Sequence, residues 1–458
     1  MFLITLLSVL VAFAAVMYFN PGLLIGSAIF TAVWLTTGLI TPAMVHPVTL
    51  VLLAGVLAVL NVPQLRRAVL TKSAYKTISG VMPQMSQTES EALEAGTTWW
   101  DADLFQGKPD WEKFSSITMP TLTKKEQSFI DNEVEELCGM LDEWEIHHYR
   151  KDLPPEAWQF LKDKGFFSLI IPEEYGGKHF SPYAQSRIMS KIASRSITGA
   201  VTAMVPNSLG PGELLAKYGT DEQKKRWLPK MITGELVGAL AMTEPSAGSD
   251  VQAIKTRAIK DGNSYKLTGQ KTFITNGQHA NLIIVAAKTN PAEGSKGTSL
   301  VVVETDGADG FARGRNLDKI GAHAADTSEL FFDNVEIPPE NILGGIENQG
   351  FYQMMQQLAQ ERLIIGCGAV GAMEGAVERT IDYCNERQAF GGPIMQFQNT
   401  RFKLAECKTK TTVARAFLDE CIAEHLRGEL TVEKAAMAKY WLSDTQGEVL
   451  DECLQLHG

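Results

Sequence analysis

The stretch SYKLTGQKTFITNG (Ser264–Gly277) marks the point where the hydrophobic period of the chain changes from that of helices to that of strands. Its β-branched and aromatic residues are interleaved with polar ones, as on a half-buried strand. Three further short runs follow it, divided by Gly, Asn and Asp: NLIIVAAKT, TSLVVVET and ELFFDNVEIP. This pattern is typical of antiparallel sheets. The sequence therefore predicts a β domain in the middle of the chain.

Helical periodicity lies on both sides of this β region. After it, long helices are predicted near Phe351–Arg387, Gln396–Arg427 and Val432–His457. Helices that are segregated from a sheet indicate an α+β fold rather than alternating βαβ units. We predict an N-terminal helical domain, a middle antiparallel β domain and a C-terminal helical domain, over residues 122–237, 238–345 and 346–458.

The N-terminal region is strongly apolar, since no Lys, Arg, Asp or Glu occurs before Arg66. Phe2–Phe19 and Leu23–Ile40 are each long enough to cross a bilayer, and Val48–Leu60 is shorter. A buried hydrophobic hairpin is the alternative, but soluble cores rarely need about sixty uncharged residues. A cleaved signal peptide fits poorly because a basic start is missing. We predict two or three membrane-spanning helices in residues 1–62, followed by a juxtamembrane linker over residues 63–121.

Charge and cysteine usage restrict the compartment and the partners. Arg66, Arg67, Lys72 and Lys76 follow the apolar segments, so the positive-inside rule puts the rest of the chain in the cytoplasm. The net charge of −11 argues against nucleic acid as a partner. The six cysteines are scattered without a C-x-x-C pair, and no histidine pair has convincing metal spacing. We therefore predict a reduced compartment, no nucleic acid partner and no metal site.

Two stretches near the start of the β domain could bind a cofactor. AMTEPSAGSD (Ala241–Asp250) predicts a turn whose backbone N–H groups and hydroxyls can bind a polar heterocycle or a phosphate. KTFITNG (Lys271–Gly277) places Phe273 and Thr275 on one face of a strand, where an aromatic ring could lie against a flat cofactor. On spacing alone, an ordinary helix-to-sheet connection and an ordinary strand pair remain the better explanation.

The stretch QLAQERLIIG (Gln357–Gly366) places a carboxylate on an apolar helix face, because Glu361 follows Met354 and Leu358 at helical spacing. Burial on such a face disfavours the charged carboxylate and raises its pKa, which suits a general base. Arg362 points about 100° away, so direct pairing is not the default. The alternative is that the helical register is misassigned by one residue, so that Glu361 lies beside the apolar face and is partly exposed. From the residues alone, the two interpretations are even.

The neighbouring GCGAVG (Gly366–Gly371) is a literal G-x-G-x-x-G motif. A dinucleotide fingerprint requires a strand before it and another after it, and neither is predicted here. We interpret these glycines as small residues that let two helices pack closely.

Several separated motifs, taken in order, resemble the acyl-CoA dehydrogenase family. They are AMTEPSAGSDVQA, KTFITNG, GAHAADTSELFFDNVEIP, QERL, ERQAFGGPIMQFQ, AMAKYW and CLQLHG. The resemblance covers roughly Leu122 to the end and is similar to the long-chain type from about residue 235 onward. The apolar N-terminal region, GTTWWDADLFQGKPDW, QSRIMSKI and VPNSLGPGELL resemble instead the large membrane-associated bacterial fatty-acyl-CoA dehydrogenase. This resemblance implies a bacterial inner-membrane location with a cytoplasmic catalytic part.

The resemblance also implies FAD as cofactor and names the residues of the site. Those matching the two flavin-binding segments are Leu240, Ala241, Met242, Thr243, Gly248, Ser249, Phe273, Ile274 and Thr275. Many relatives have Trp where Phe273 stands. Those matching other FAD contacts, some across a subunit interface, are Arg387, Gln398, Gln455, Leu456, His457 and Gly458. Substrate contacts match Ser249, Tyr352, Gln360 and Arg362, and Glu361 matches the catalytic base of the long-chain and isovaleryl types.

The implied reaction is dehydrogenation of long-chain fatty acyl-CoA to trans-2-enoyl-CoA, the first step of fatty-acid β-oxidation. Glu361 would remove the α-proton while a hydride passes to flavin N5. Implied partners are acyl-CoA, an electron-transfer flavoprotein or similar acceptor, the membrane and further copies of the chain in a dimer or tetramer. The alternatives are an acyl-CoA oxidase or flavin monooxygenase of the same fold, and an inactive truncated membrane protein. The chain ends at CLQLHG where the family continues, so we expect an incomplete C-terminal bundle.

Overall fold

The structure is a computed structural model that describes residues 2–81, 100, 103–104, 107, 109–112, 119–207 and 210–458. The chain divides into two compact units, Met1–Ser86 and Gln87–Gly458. Most of the predicted linker motif GTTWWDADLFQGKPDW lies outside the described residues.

The first unit consists of helices, and those within residues 2–61 are apolar, as the sequence predicts. They are α1 (Phe2–Phe19), α2 (Leu23–Gly38), α3 (Pro47–Asn61) and α4 (Pro63–Ser79). Prolines open α3 and α4, where their fixed φ suits the first helical turn. Residues 63–79, predicted as the start of a linker, are therefore helical. By length and composition, none of the helices traced in the described residues could cross a membrane singly, whereas α3 and α4, bent by 86°, pass the same test together.

The second unit begins with helices, in agreement with the predicted periodicity. They are α5 (residues 124–140), α6 (residues 143–150), α7 (Pro155–Asp163), α8 (Pro182–Arg195), α9 (Ile197–Asn207), α10 (Pro211–Tyr218) and α11 (Asp221–Ile232). Side chains cap several of them: Thr123 and Glu126 form a capping box at α5, and Thr220 and Gln223 form another at α11. These caps satisfy N–H groups that the first helical turn leaves unpaired.

The sheet that follows contains β1 (Gly238–Ala241), β2 (Arg257–Asp261), β3 (Ser264–Thr275), β4 (Leu282–Lys288), β5 (Thr298–Glu304), β6 (Phe311–Asn316) and β7 (Thr327–Ile337). Its order is β1-β4-β2-β3-β7-β6, with β5 also paired to β4. The prediction of a wholly antiparallel sheet is wrong around β4, because β4 pairs in parallel with both β1 and β2. The β2–β3 hairpin lies between β1 and β4 in sequence and brings the chain back in the same direction. The sheet is therefore mixed.

Three long helices complete the unit, close to their predicted bounds: α12 (Gly350–Glu386), α13 (Gln398–Arg427) and α14 (Val432–His457). A two-stranded hairpin, β8 (Gln388–Ala389) and β9 (Gly392–Pro393), separates α12 from α13. A Cβ at Gly371 would lie 2.0 Å from the carbonyl oxygen of Ser190 on α8. The interpretation of the GCGAVG glycines as helix-packing residues is therefore confirmed for Gly371, and for Gly366, where a Cβ would lie 2.7 Å from Leu442 of α14, but not for Gly368, where a Cβ meets no atom within 4 Å.

The core has three parts, and one of them positions the start of α12. Ile284 of β4 and Leu300 of β5 pack with Trp227 of α11 and with Phe351 and Met354 of α12. The other face of the sheet has its own apolar cluster, and the helices share a third. The first turns of α12 therefore lie against the sheet, near the turn that follows β1.

Candidate active site

The first predicted cofactor segment forms a turn directly after β1, as expected. The side chain of Ala241 is fully buried in the sheet core, so only its backbone can face a ligand. Gly248 and Ser249 are exposed, and a Cβ built on Gly248 meets no atom within 4 Å. The turn is therefore open on the side that carries Gly248 and Ser249.

The second predicted segment is an irregular strand rather than the regular one expected from alternation. The β3–β7 register shifts between Lys271 and Ile274, which marks a bulge. Phe273 lies in this bulge with a φ of 57° and is 64% exposed. Ile274 is buried, whereas Thr275 is half-buried. The bulge thus turns an aromatic ring outward at the position matched to the flavin.

A buried lysine joins the two segments. The Lys271 ammonium donates to the carbonyl of Met242 at 3.0 Å and to the carboxylate of Glu244 at 2.8 Å. The backbone N–H of Thr272 donates to the carbonyl of Thr243 at 3.0 Å. Lys271 was not identified from the sequence. The strand period of two could have indicated its burial, because it puts Lys271 on the same inward face as Leu267.

Around this ion pair, the surroundings shift the pKa values of both Glu244 and Lys271 downward. Burial would raise the pKa of Glu244, but Lys271 and hydrogen bonds including the Lys255 N–H together lower it. Burial lowers the pKa of Lys271 to about 8, although Glu244 opposes that change. The pair therefore depends on close contact to remain ionised away from water.

A cavity of about 270 Å³ lies between the first segment and α12. Its lining comes from both: Leu240, Met242, Gly248, Ser249, Val251, Gln252, Phe351, Met354, Met355, Leu358, Glu361 and Arg362. The tertiary structure thus brings Glu361 together with the turn that was predicted independently of it.

The carboxyl group of Glu361 faces this mainly apolar cavity. Burial raises the pKa of Glu361 to about 7, and Arg362 opposes the rise. Within the described part of the chain, Glu361 forms no ion pair with Arg362, in line with their divergent directions on the helix. Ile365, one turn further along the predicted stripe, is 36% exposed. The apolar face of α12 thus begins in the core at Met354 and lines the cavity at Leu358 and Glu361.

Two other predicted substrate contacts lie outside this cavity. Tyr352 is about half exposed and accepts a hydrogen bond from the amide of Gln356. The side-chain oxygen of Gln360 lies 3.0 Å from Nε2 of His425, and its amide nitrogen lies 3.5 Å from Gln185. Gln360 instead lines a second cavity of about 610 Å³, with Glu213 and Lys217 of α10.

The C-terminal residues matched to FAD contacts are not part of the 270 Å³ cavity. Arg387, Gln398, Gln455, His457 and Gly458 are exposed, and Leu456 is half-buried. The ring of His457 stacks on Tyr383 at 4.1 Å, and its carbonyl accepts a hydrogen bond from the Tyr383 hydroxyl. Within a single chain these residues and the turn after β1 do not form one site.

Comparisons with known proteins agree with this geometry. Residues 121–235, 239–335 and 348–458 match the acyl-CoA dehydrogenase N-terminal, middle and C-terminal domains. The pig mitochondrial long-chain specific acyl-CoA dehydrogenase is 39% identical over 357 residues, which are 76% of this chain and 81% of that protein. The chain therefore belongs to the acyl-CoA dehydrogenase family, an oxidoreductase family.

Solved structures show the same relationship. An acyl-CoA dehydrogenase from Geobacillus kaustophilus is 40% identical with a TM-score of 0.68, over 74% of this chain and 90% of that one. A chain from a structure of the electron transferring flavoprotein of Acidaminococcus fermentans is 32% identical with a TM-score of 0.70, over 74% and 88%.

FAD is the cofactor of this family, and the residues of the two segments fit it. The hydroxyls of Thr243, Ser249 and Thr275 can hydrogen-bond the polar edge of a flavin, and the exposed ring of Phe273 offers a flat apolar surface. Among the described residues, no group of three His, Cys, Asp or Glu side chains is arranged to hold a metal ion.

Proposed function

We propose that this acyl-CoA dehydrogenase acts on long-chain fatty acyl-CoA thioesters and forms trans-2-enoyl-CoA, the first step of fatty-acid β-oxidation. The single observation that carries the proposal is the position of Glu361, in an apolar cavity opposite the turn that follows β1. The name and identity of the pig relative support the long-chain preference.

In this proposal Glu361 removes the α-proton of the thioester. A base works best when its pKa lies near the working pH, and burial brings the pKa of Glu361 to about 7. Arg362 opposes the rise and keeps part of the carboxyl ionised. FAD, when bound, accepts the β-hydrogen as a hydride. Met354, Met355 and Leu358 line the same cavity and suit an alkyl chain, because thioether side chains adapt their shape.

Reducing equivalents would pass to an electron-transfer flavoprotein or a similar acceptor. The active form would be a dimer or tetramer. The exposure of Arg387 and Gln398 supports an oligomer, since these two positions match those that hold the dinucleotide end of the flavin across a subunit interface in the family.

Residues 1–62 would anchor the protein in the bacterial inner membrane, with the catalytic part in the cytoplasm. Two observations support this: charged residues are absent before Arg66, and large apolar side chains of α1–α3, such as Leu10, Leu24 and Val51, are exposed. Deleting residues 1–61 should release the protein to the soluble fraction. Retention of the deletion variant in membranes would contradict anchoring by these helices.

The reaction is tested by mixing the flavin-loaded protein anaerobically with palmitoyl-CoA and following flavin absorbance. We expect bleaching in the wild type and in Glu378→Gln, an exposed position on the same helix. Glu361→Gln should retain flavin and fail to bleach. Normal bleaching in Glu361→Gln would remove Glu361 as the base, and reoxidation by air at a catalytic rate would indicate an oxidase.

A further inference from the structure

The chain turns sharply between α3 and α4, whose axes are bent by 86°. The turn lies at Val62, which is extended with a φ of −90° and a ψ of 110°. Pro63 follows, and a proline disfavours the helical conformation of the residue before it. The guanidinium of Arg66 then donates a hydrogen bond to the carbonyl of Leu60 at 3.2 Å, across the bend. The change of direction is therefore fixed by local sequence.

The helix after the bend carries an apolar face that the described residues leave uncovered. Tyr75 and Ile78 are 72% and 62% exposed, and no residue of α4 is buried. Both share one face with Ala74, because residues three and four apart adjoin on a helix. Ser73 lies about 140° around the helix from Ile78, on the polar face with Thr77. The second half of α4 is thus amphipathic, with its apolar side open.

The same helix is basic. Its four cations are Arg66, Arg67, Lys72 and Lys76, and the first acidic residue of the chain is Glu89. Arg67, Lys72 and Lys76 are exposed and form no ion pair with the residues that the structure describes. Lysine side chains can lay their alkyl stems along apolar surface and extend the ammonium group outward. The positive charge of α4 is therefore free to bind anions beside an apolar surface.

We propose that α4 lies along the surface of an anionic lipid bilayer. Its apolar face enters the boundary between headgroups and acyl chains, and Lys72 and Lys76 bind the phosphates of anionic lipids. This inference rests on the proposed anchoring by residues 1–62 and adds a second, electrostatic contact outside them. The contact would hold the start of the segment that leads to the catalytic part flat on the membrane.

The bend supplies the geometry. If α3 is directed along the membrane normal, a helix bent from it by 86° is nearly parallel to the bilayer plane. An apolar face combined with basic residues is typical of helices that lie in the interface. Anionic lipids attract juxtamembrane lysines and arginines in the same position.

Two other placements of α4 agree less well with its charges. Insertion together with α3 as one broken span would carry Lys72 and Lys76 towards hydrocarbon, where charged side chains are costly. An acidic protein surface would satisfy the lysines but would need its own apolar patch for Tyr75 and Ile78. A lipid surface offers both anionic and apolar groups, directly beside the apolar helices α1–α3.

The test measures which face of α4 is covered by lipid. The full chain is reconstituted into phosphatidylcholine vesicles with and without phosphatidylglycerol, and flotation measures how much protein is membrane-bound. Ile78→Cys on the apolar face and Ser73→Cys on the polar face are labelled with a membrane-impermeant maleimide. The wild type corrects for the native cysteines, which are free and, apart from Cys138, buried. Ser73→Cys also corrects for the orientation of the protein in the vesicles.

In vesicles with phosphatidylglycerol, Ile78→Cys should react about tenfold more slowly than Ser73→Cys, as for a face covered about 90% of the time. Without phosphatidylglycerol the two rates should become similar. Equal rates in a chain that floats with anionic vesicles would overturn the proposal for α4 and leave the anchoring by residues 1–62 intact. A chain that floats with neither vesicle would overturn both.

Two further outcomes would also overturn the proposal. Slow labelling of both Ile78→Cys and Ser73→Cys would show that α4 is inserted in the bilayer. Slow labelling of Ile78→Cys alone, to the same extent in both kinds of vesicle, would show that the cover on this face does not depend on anionic lipid, as for a protein surface.

The lysines are tested in the Ile78→Cys background. Lys72→Gln combined with Lys76→Gln should weaken surface binding by about fivefold per lysine and so remove most of the protection. Lys260→Gln combined with Lys296→Gln removes two exposed lysines of the β domain and should leave the protection unchanged. Salt at about 1 M should also reduce the protection, because the Debye length falls to about 3 Å. Protection that survives the substitutions of Lys72 and Lys76 would contradict phosphate binding by α4.

Discussion

The ammonium nitrogen of Lys271 lies 2.8 Å from a carboxylate oxygen of Glu244, and the two side chains are 0% and 5% exposed. Glu244 lies in the turn after β1, and Lys271 precedes the bulge that presents Phe273. The same ammonium reaches the carbonyl of Met242. This ion pair and the Thr272–Thr243 backbone hydrogen bond together hold the two segments that fit FAD side by side.

We predict that Lys271→Met destabilises the protein by about 3–5 kcal/mol, because it leaves Glu244 buried without its partner. FAD binding should weaken as well, since the two segments are no longer tied. Lys266→Met is the matched control, because Lys266 pairs with Glu336 at the surface of the same strand and should cost at most about 1 kcal/mol. Urea unfolding and FAD titration measure both effects. Equal losses in the two variants would contradict a special role for the buried pair.

Substitutions of Phe273 show whether its exposed ring contributes to FAD binding or to the stability of the fold. Because Phe273 is 64% exposed, Phe273→Ala should change the unfolding temperature of the FAD-free protein little, yet weaken FAD binding through loss of the ring surface. Phe273→Trp should restore FAD binding, since it returns a flat aromatic face. Fluorescence titration with FAD provides the measurement. An unchanged FAD affinity in Phe273→Ala would show that the ring does not contact the flavin.

The raised pKa of Glu361 predicts a pH-dependent cost in stability. The folded protein holds this proton from the ordinary value of 4.5 up to about 7, so the stabilising effect is fully present below 4.5 and is lost as the pH rises through about 7. Glu361→Gln should therefore stabilise the protein at about pH 8 relative to about pH 5, by on the order of 2–3 kcal/mol. The difference in unfolding temperature from wild type at the two pH values measures it. Glu378→Gln should show no such difference, and a pH-independent effect of Glu361→Gln would argue against a desolvated carboxyl.

Alanine substitutions at two glycines of α12 distinguish the effect of close helix packing from the effect of glycine on backbone flexibility. Gly371→Ala should destabilise the protein by about 1–3 kcal/mol, because the new Cβ would lie 2.0 Å from the Ser190 carbonyl oxygen. Gly368→Ala should be neutral or stabilising by up to about 1 kcal/mol, since a Cβ there meets no atom within 4 Å. Chemical unfolding of the two variants gives the comparison. If Gly371→Ala were as stable as Gly368→Ala, the α8–α12 contact would not depend on the glycine.

Much of the fold follows from local patterns. The change from helical to strand periodicity at Ser264 and the bounds of the three C-terminal helices were predictable, because a side chain's face depends on its spacing along one element. The parallel β1–β4 pair was not predictable in this way, since strand direction depends on how the chain returns to the sheet. The burial of the Glu213 carboxyl group was missed for a related reason, because an acid in a first helical turn with a lysine four residues later is typical of a solvated helix face.

The sequence by itself determined the β-rich middle region and the long C-terminal helices, the apolar character of residues 1–62, and the presence of a carboxylate on one face of α12. Tertiary structure alone decided that this face lines a cavity opposite the turn after β1, that Lys271 forms a buried ion pair with Glu244, and that burial raises the pKa of Glu361. The reason is physical: periodicity describes one element at a time, whereas desolvation and charge coupling arise only when elements distant in sequence pack together and exclude water.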